Sequence, residues 1–502
     1  VLLSRIVRGG FFMKKWLVSL AVIHVLAGGA FAASVDTFGI GAKATSLGGA
    51  VSASSDDVFS VYYNPAGLSQ VKRTQISAAL QMADPALTFH DFTVLDGDGN
   101  AAAGPAEIKD KSDSLFIPFL GYAQPITDNI SFGIAGLIPY GLDIEWSKNP
   151  AENPGANNWF HSYYIRETVN PTVSYKISDA WSVGVGASIG KSKSGAEKIM
   201  NYPTAPSDFL GTPAIMDTFS VANRDTIATN TYTQVFNATG DAAAAAAAAN
   251  RAGTAYTVLA LSHAYDGSTL ELELEDSFNY SFNAGVQYRP SDSMALGLTY
   301  RGRAKAEFKG DVIINGDTVT TANMRYDHPE QIQAGIMVKP NPAVTLEADV
   351  VWTNWSHNEY QMTYFDEPLL GLLDSEYLER NWKNTNQVRL GAEWKVNQML
   401  ALRCGYFYDP SPVPDDTFDI MWPDADRKTY SIGAGFDFGN WVIDTSVQFA
   451  YAESKRIIGG ETDNLNESYD PNPLPGYGDE YRVETSADGY LMGYGVTVTY
   501  KF

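Results

Sequence analysis

The chain has 502 residues, 58 acidic against 35 basic side chains (formal net charge −23), one cysteine and 45% apolar residues. The acidic balance argues against a nucleic-acid partner, which needs clustered Lys and Arg. A single cysteine excludes a disulfide framework and a Cys-rich metal site, and 44 glycines and 28 tyrosines suit strands and tight turns better than helices.

Residues 1–32 read as upstream sequence and a secretory signal. Met13-Lys-Lys is followed by the apolar run Trp16 to Ala27 and then Gly-Gly-Ala-Phe-Ala, with Ala30 and Ala32 forming an Ala-x-Ala end. Cleavage after Ala32 would leave 31 basic and 58 acidic side chains. Residues 33–73 come next and do not alternate. They are rich in Gly, Ala and Ser and contain Tyr63-Asn-Pro-Ala-Gly-Leu68. Asn64-Pro65 starts a turn and Gly67 permits positive φ. Such a segment admits two readings, a periplasmic tail or a plug folded into a barrel lumen.

From residue 74 to 502 the pattern is period 2. Val388, Leu390, Ala392, Trp394 and Val396 alternate with Gln387, Arg389, Gly391, Glu393 and Lys395. The same holds around Val344–Trp352, Leu400–Tyr408, Trp441–Tyr451 and Tyr494–Phe502. No later segment has 18 consecutive apolar residues, so no transmembrane helix is expected. A soluble sandwich also alternates. Three features favour an outer-membrane barrel: aromatic residues at the strand ends, short turns alternating with long loops, and a terminal strand ending in Phe502.

The spacing predicts about fourteen antiparallel strands starting near 74, 112, 130, 164, 181, 270, 294, 323, 344, 385, 399, 429, 441 and 490. Long external loops fall near 91–111, 141–162, 194–269, 309–322, 356–384, 409–428 and 454–489. Acidic loop residues such as Asp415, Asp416, Asp424 and Asp426 suit divalent cations held between lipopolysaccharides. A plain solvated loop is the simpler account of them. Loop 194–269 carries Asp241 followed by eight alanines, which suits either a capped helical lid or a low-complexity insert. Loop 356–384 carries the apolar cluster Leu369, Leu370, Leu372 and Leu373.

The third strand, from Ile130, contains Gly136, Pro139 and Gly141. Proline lacks the N–H for a ladder bond, so it marks either a place where pairing fails or the external rim. Parity puts Arg301, Arg303, Arg389 and Arg403 on the lumen face, and Arg166 also falls on a strand. A lumen arginine can bind a carboxylate at two points or pair with acids such as Glu393, Asp349 or Asp437. Cys404 has lipid-face parity and reads as a small apolar residue.

Histidines 90, 161, 263, 328 and 357 lie in no nucleophile or zinc-protease motif. No phosphate-binding loop is visible, and no cofactor or metal is expected. A lipid-acting enzyme and a general porin remain as other readings.

The Asn-Pro-Ala-Gly-Leu stretch resembles the FadL-type long-chain fatty acid transporters, a family that includes TodX-type aromatic-hydrocarbon channels. So do Arg389–Lys395, residues 403–416 and Pro423-Asp-Ala-Asp-Arg427. The resemblance covers nearly all of the exported chain, with loop 194–269 divergent. It implies a fourteen-stranded barrel in the bacterial outer membrane, closed by an N-terminal hatch over 33–73. Hydrophobic substrate, long-chain fatty acid first and aromatic hydrocarbon second, would pass to a pocket near Phe38. It would then leave sideways at a kinked third strand without ATP. Phe38, Arg166, Arg303, Arg389 and Arg403 are the expected ligand residues, Asn64, Pro65, Ala66 and Gly67 the hatch motif, and Gly136, Pro139 and Gly141 the kink. Implied partners are hydrophobic small molecules, outer-membrane lipid, lipopolysaccharide and the barrel assembly machinery.

Overall fold

Alternating side chains and tight turns bring each strand antiparallel to the next, and the ring closes on itself. The computed structural model describes residues 39–201, 224–369, 373–421, 423–452, 456–469 and 481–502; the expected signal and Phe38 lie outside them. Fourteen strands form the ring. The first seven are β1 (Gln75–Leu95), β2 (Leu115–Pro125), β3 (Ile130–Glu145), β4 (His161–Lys176), β5 (Trp181–Ile199), β6 (Thr269–Ser291) and β7 (Met294–Arg301). The rest are β8 (Gln331–Asn341), β9 (Val344–Thr353), β10 (Thr385–Lys395), β11 (Leu400–Asp409), β12 (Arg427–Asp437), β13 (Trp441–Ala452) and β14 (Arg482–Lys501). β1 pairs with β14 from Gln75↔Lys501 to Leu95↔Arg482, which closes the barrel.

Twelve of the fourteen expected starts fall within three residues of these strands. The eighth moves from 323 to Gln331, because residue 323 belongs to an external hairpin, Ala304–Ile314 with Asp317–His328, that alternates as cleanly as a wall strand. The last begins at Arg482 rather than 490, because β1 and β14 both run on past the wall into the loop region.

The barrel is inside-out relative to a soluble protein. Val185, Leu298, Ile336, Val350, Leu390 and Ile432 face outward and are exposed, whereas Gln81, Asn283, Gln287, Gln333, Gln387 and Gln448 face inward and are buried. Lipid is the solvent for the first set, so exposure of greasy side chains costs nothing there. Trp181, Trp394 and Trp441 stand outward near the short turns, and Tyr280, Tyr430 and Tyr490 outward nearer the loops. Amphipathic rings are at home at such boundaries. Cys404 is exposed on this outer face rather than buried. No described helix is long and apolar enough to cross a membrane.

Residues 39–73 lie against the inward faces of the strands. They form two short helices, α1 (Ala42–Ser46) and α2 (Ser60–Tyr63), and a 3-10 turn over Pro65–Gln70. Ile40, Val58, Phe59, Val61 and Leu68 pack with Ile117, Phe119, Ala135 and Leu137 of the wall. In the long connection from β5 to β6, α3 (Arg224–Thr239) and α4 (Ala242–Tyr265) pair with each other. Asp241 caps α4 as its sequence position suggests, accepting from the N–H of Ala243 (2.8 Å) and Ala244 (3.1 Å). α3 buries no residue.

Candidate functional site

The third strand departs from the regular ladder where its proline stands. β3 pairs with β4 as far as Leu137↔Thr168 and resumes at Tyr140↔Arg166, so three steps on β3 face two on β4. The extra residue is a β-bulge, and Pro139 sits in it, where its missing N–H costs no ladder bond. The strand runs on past Pro139 to Glu145, so the proline lies within the strand and not at its end. The bulge also reverses parity. Ser131, Ala135 and Leu137 are buried before it, and Ile144 after it.

On the other side the ladder between β2 and β3 ends at Leu120↔Gly136. Leu115–Phe119 of β2 still pair with β1. Contact with β3 resumes only where the Lys111 N–H donates to Glu145 O (2.7 Å). The ladder bonds of the wall are therefore interrupted between β2 and the upper half of β3. An added Cβ at Gly136 or Gly141 would meet nothing closer than 3.6 Å, so neither glycine is dictated by crowding.

Above this interruption, toward the loops, is an apolar cavity of about 80 Å³. Leu87 of β1, Leu142 and Ile144 of β3, Ala450 of β13, Leu491 of β14 and the Pro423–Ala425 turn line it. The two proline-rich blocks of the sequence meet at its edge. Arg427 Nη2 pairs with Asp409 Oδ2 (2.6 Å), and Gln387 Nε2 donates to Asp409 Oδ1 (2.8 Å). Ser411 donates its hydroxyl to Asp424 (2.7 Å) and its N–H to Asp426 (2.8 Å), which also accepts from the Tyr408 hydroxyl (2.7 Å). Asp424 is buried and its Oδ1 has no partner. Burial, only partly offset by Arg427, pushes its pKa up to about 6.

The lumen arginines separate into distinct settings. Arg166 is 2% exposed, with Nε donating to Asn279 Oδ1 (2.7 Å) and Nη1 to Ser188 Oγ (3.2 Å), while Nη2 is buried without a partner. Arg301 reaches Gln331 and Gln333, and its guanidinium stands 4.9 Å from the Tyr62 ring. Arg389 donates to Gln387 and presses against Gly49. Arg403 pairs with Glu393 (2.8 Å) and Asp444 (2.6 Å). Arg303 lies beyond the end of β7 and pairs with Asp327 (3.3 Å). Next to Arg166's strand, Tyr140 stacks on His328 with centroids 4.7 Å apart, and the Tyr164 hydroxyl bonds the same imidazole.

The Asn-Pro-Ala-Gly motif grips the wall. Asn64 Nδ2 donates to Val286 O (3.1 Å) and to Ser52 O (2.7 Å), while its Oδ1 caps the following turn at Ala66 N (3.1 Å). A Cβ at Gly184 would stand 2.3 Å from Pro65 C, so that wall glycine makes room for the motif. Gly67 is not in the positive-φ region. It is glycine because a Cβ would come within 2.3 Å of Ser55 Oγ.

Nearer the short turns lies a polar cavity of about 490 Å³, bounded by this segment and by β1 and β10–β14. Lys43, Asp56, Asp57, Glu393, Arg403 and Asp444 line it. Burial would lower the Lys43 pKa, but Asp56 and Asp57 outweigh it and hold the ammonium charged, while burial and Asp56 raise that of Asp57.

From sequence, Asp424 was read only as a loop acid and Arg427 only as part of a family block; neither was read as lining a pocket, and Asp409, which pairs with Arg427 at its edge, was not singled out. Their signal was there, as charges inside two proline-rich blocks, but the blocks meet only once the barrel closes.

The sequence matches, over residues 18–502, the family described as outer membrane protein transport protein (OMPP1/FadL/TodX). The chain belongs to this family. It is 24% identical to outer membrane protein P1 of Haemophilus influenzae over 481 residues, 91% of this chain and 94% of that protein. It is 22% identical to the long-chain fatty acid transport protein of Escherichia coli over 427 residues, 81% and 84% of the two chains. Its fold matches a Pseudomonas aeruginosa FadL homologue with a TM-score of 0.67 at 16% identity, covering 95% of this chain and all of the other. The Ralstonia pickettii toluene transporter TbuX matches with a TM-score of 0.61 at 13% identity, covering 93% and 99%. This member of the OMPP1/FadL/TodX family is thus an integral outer-membrane barrel with a transport role.

Proposed function

We propose that the barrel takes up hydrophobic compounds, long-chain fatty acids first, and releases them sideways into the membrane. The apolar cavity between β1, β3, β13 and β14 carries this reading, because it adjoins the interrupted ladder at β3. Substrate enters from the loop side, rests in the cavity with its chain among Leu87, Leu142 and Ile144, and leaves between β2 and β3. The N-terminal segment over 39–73 acts as the hatch that closes the route toward the short turns. The charged cavity below it would strip a greasy chain of apolar contact, so passage that way is disfavoured. Arg166 is taken as the carboxylate partner, since its Nη2 is buried and unpaired; Arg301 Nη1 shares that property and is the second candidate. Transport is passive. Lipopolysaccharide at the acidic loops and the assembly machinery at the Phe502 end are the expected outer-membrane partners.

The relatives' printed substrates include fatty acids and toluene. The small volume of the cavity and Asp424 at its edge favour neutral aromatic hydrocarbons as the second reading. Labelled oleate uptake in cells lacking their own transporter decides between them. The wild-type chain should give saturable uptake, and Arg166→Gln should raise the half-saturating oleate concentration about tenfold while sparing toluene, as expected for loss of a charge-assisted hydrogen bond. Correct membrane insertion with toluene but no oleate uptake would replace the fatty-acid assignment with the hydrocarbon one.

A further inference from the structure

On one side of the barrel the wall continues past its rim. Beyond β7 and β8, whose last rung is Arg301↔Gln331, the hairpin Ala304–Ile314 with Asp317–His328 carries the sheet on. A second hairpin, Tyr360–Leu369 with Leu373–Glu379, pairs alongside it. One rung, Lys309↔Asn323↔Tyr364↔Ser375, crosses all four strands. Together they form an external apron.

The two faces of the apron differ. Phe308, Val312, Met324, Phe365 and Leu369 point inward and pack in the core of the loops. Glu307, Lys309, Arg325 and Asp366 are exposed on the outward face. With them stand Tyr360, Tyr364 and Tyr377, exposed by 55%, 54% and 53%. Tyr377 is opposite Met362, so Tyr360 and Tyr364 are its two diagonal neighbours. Its ring stacks on that of Tyr360 with centroids 5.6 Å apart and planes at 26°. Asp366 is fixed beside them by Asn323 Nδ2 (2.9 Å), Lys309 Nζ (3.2 Å) and the Thr321 hydroxyl.

This mixture suits neither hydrocarbon nor open water. Charged side chains on a lipid-facing surface are costly, so the apron stands above the apolar layer. Three neighbouring rings more than half exposed form a patch of the kind that marks a contact surface. What lies beside an outer-membrane wall just above its rim is the saccharide of lipopolysaccharide. A pyranose ring has an apolar C–H face and a rim of hydroxyls. The first suits a tyrosine ring, and the second suits the carboxylates and amide that share the sheet face. Tyr360 and Tyr364 are about 13 Å apart along their strand, which leaves room for successive sugar rings. We infer that the outward face of the apron binds the core oligosaccharide of neighbouring lipopolysaccharide by stacking its sugars on Tyr360, Tyr364 and Tyr377. This contact is separate from the acidic loop between β11 and β12. It rests on the outer-membrane location and not on the uptake reading.

Free core oligosaccharide, released from rough lipopolysaccharide by mild acid and carrying no lipid A, tests this with the full-length barrel in detergent. Wild type should bind it saturably, with NMR saturation transfer to the sugar C–H protons. Tyr360→Ser with Tyr364→Ser and Tyr377→Ser should weaken binding about tenfold or more, since all the stacking rings are gone. Phenylalanine at the same three positions keeps the rings and should bind within about threefold of wild type. Heat-dependent gel mobility of each variant checks that its barrel is closed. Absence of binding by wild type, or equal binding by the serine variant, overturns the inference. Equal loss in the phenylalanine and serine variants removes stacking as its basis.

A second comparison separates sugar from phosphate. Barrels purified from cells with a complete core should retain several-fold more lipopolysaccharide than barrels from cells whose lipopolysaccharide stops at the innermost sugars. The serine variant should lose that difference. Equal retention by wild type from both strains would place the contact at lipid A and overturn the sugar assignment.

Discussion

Asp424 shows how one loop residue can be read for chemistry. Folding takes its pKa from the ordinary 3.8 up to about 6, so the folded barrel binds the proton more tightly than the unfolded chain. The group therefore favours folding below pH 4 and loses that contribution as the pH rises to 6, by at most about 3 kcal/mol. The unfolding midpoint in mild detergent, measured from pH 4 to 7.5, should fall through this window in wild type. The Asp424→Asn profile should be flatter over the same window. Parallel profiles would show that Asp424 titrates normally. Legibility also differs residue by residue. Arg389 and Arg403 were placed on the lumen face by parity alone, and Arg403 found the expected Glu393. That Arg403 meets two carboxylates and Arg166 none depends on neighbours from other strands, which one-dimensional alternation cannot supply.

At the scale of elements, β3 rewards the attention its sequence drew. Gly136, Pro139 and Gly141 marked the strand as irregular, but the sequence left failed pairing and the external rim equally open. The register shows a bulge there, since Tyr140 faces Arg166 after one surplus residue. Deleting Pro139 should restore a continuous β3–β4 ladder and favour pairing toward β2. Oleate uptake should then fall at least about tenfold while the thermal midpoint holds or rises, since a bulge interrupts ladder bonds that regular pairing would make. Retained uptake would show that the interruption is not the exit. Elsewhere the strands were legible because period 2 survives a lipid-facing wall. The external hairpin 304–328 misled for the same reason, since its inward residues pack among loops as wall residues pack in a lumen. The capped helix after Asp241 was readable from its cap and alanine run. Whether it covers the pocket was not, and α3 buries nothing.

For the whole molecule, the exchange of inside and outside makes lipid a structural component. Leu390 stands at the middle of β10 and is exposed outward. Leu390→Arg should cost about 2–4 kcal/mol at such a depth, measured as the shift of a denaturant titration in bilayers, whereas a soluble protein would tolerate the charge. A shift near zero would move that position out of the hydrocarbon zone. The ring also joins the two ends of the chain. Gln75 lies beside Lys501, and Arg73 donates to the main-chain oxygen of Phe502 (2.7 Å). The seam unites strands more than four hundred residues apart, and the entropy of closing so long a loop is not recovered until the last strand arrives. No partial chain has a complete wall. The wall is complete only once β14 has paired with β1, and the residues that come to lie inside have to be enclosed by that closing event, like a cork set in place before the staves are hooped.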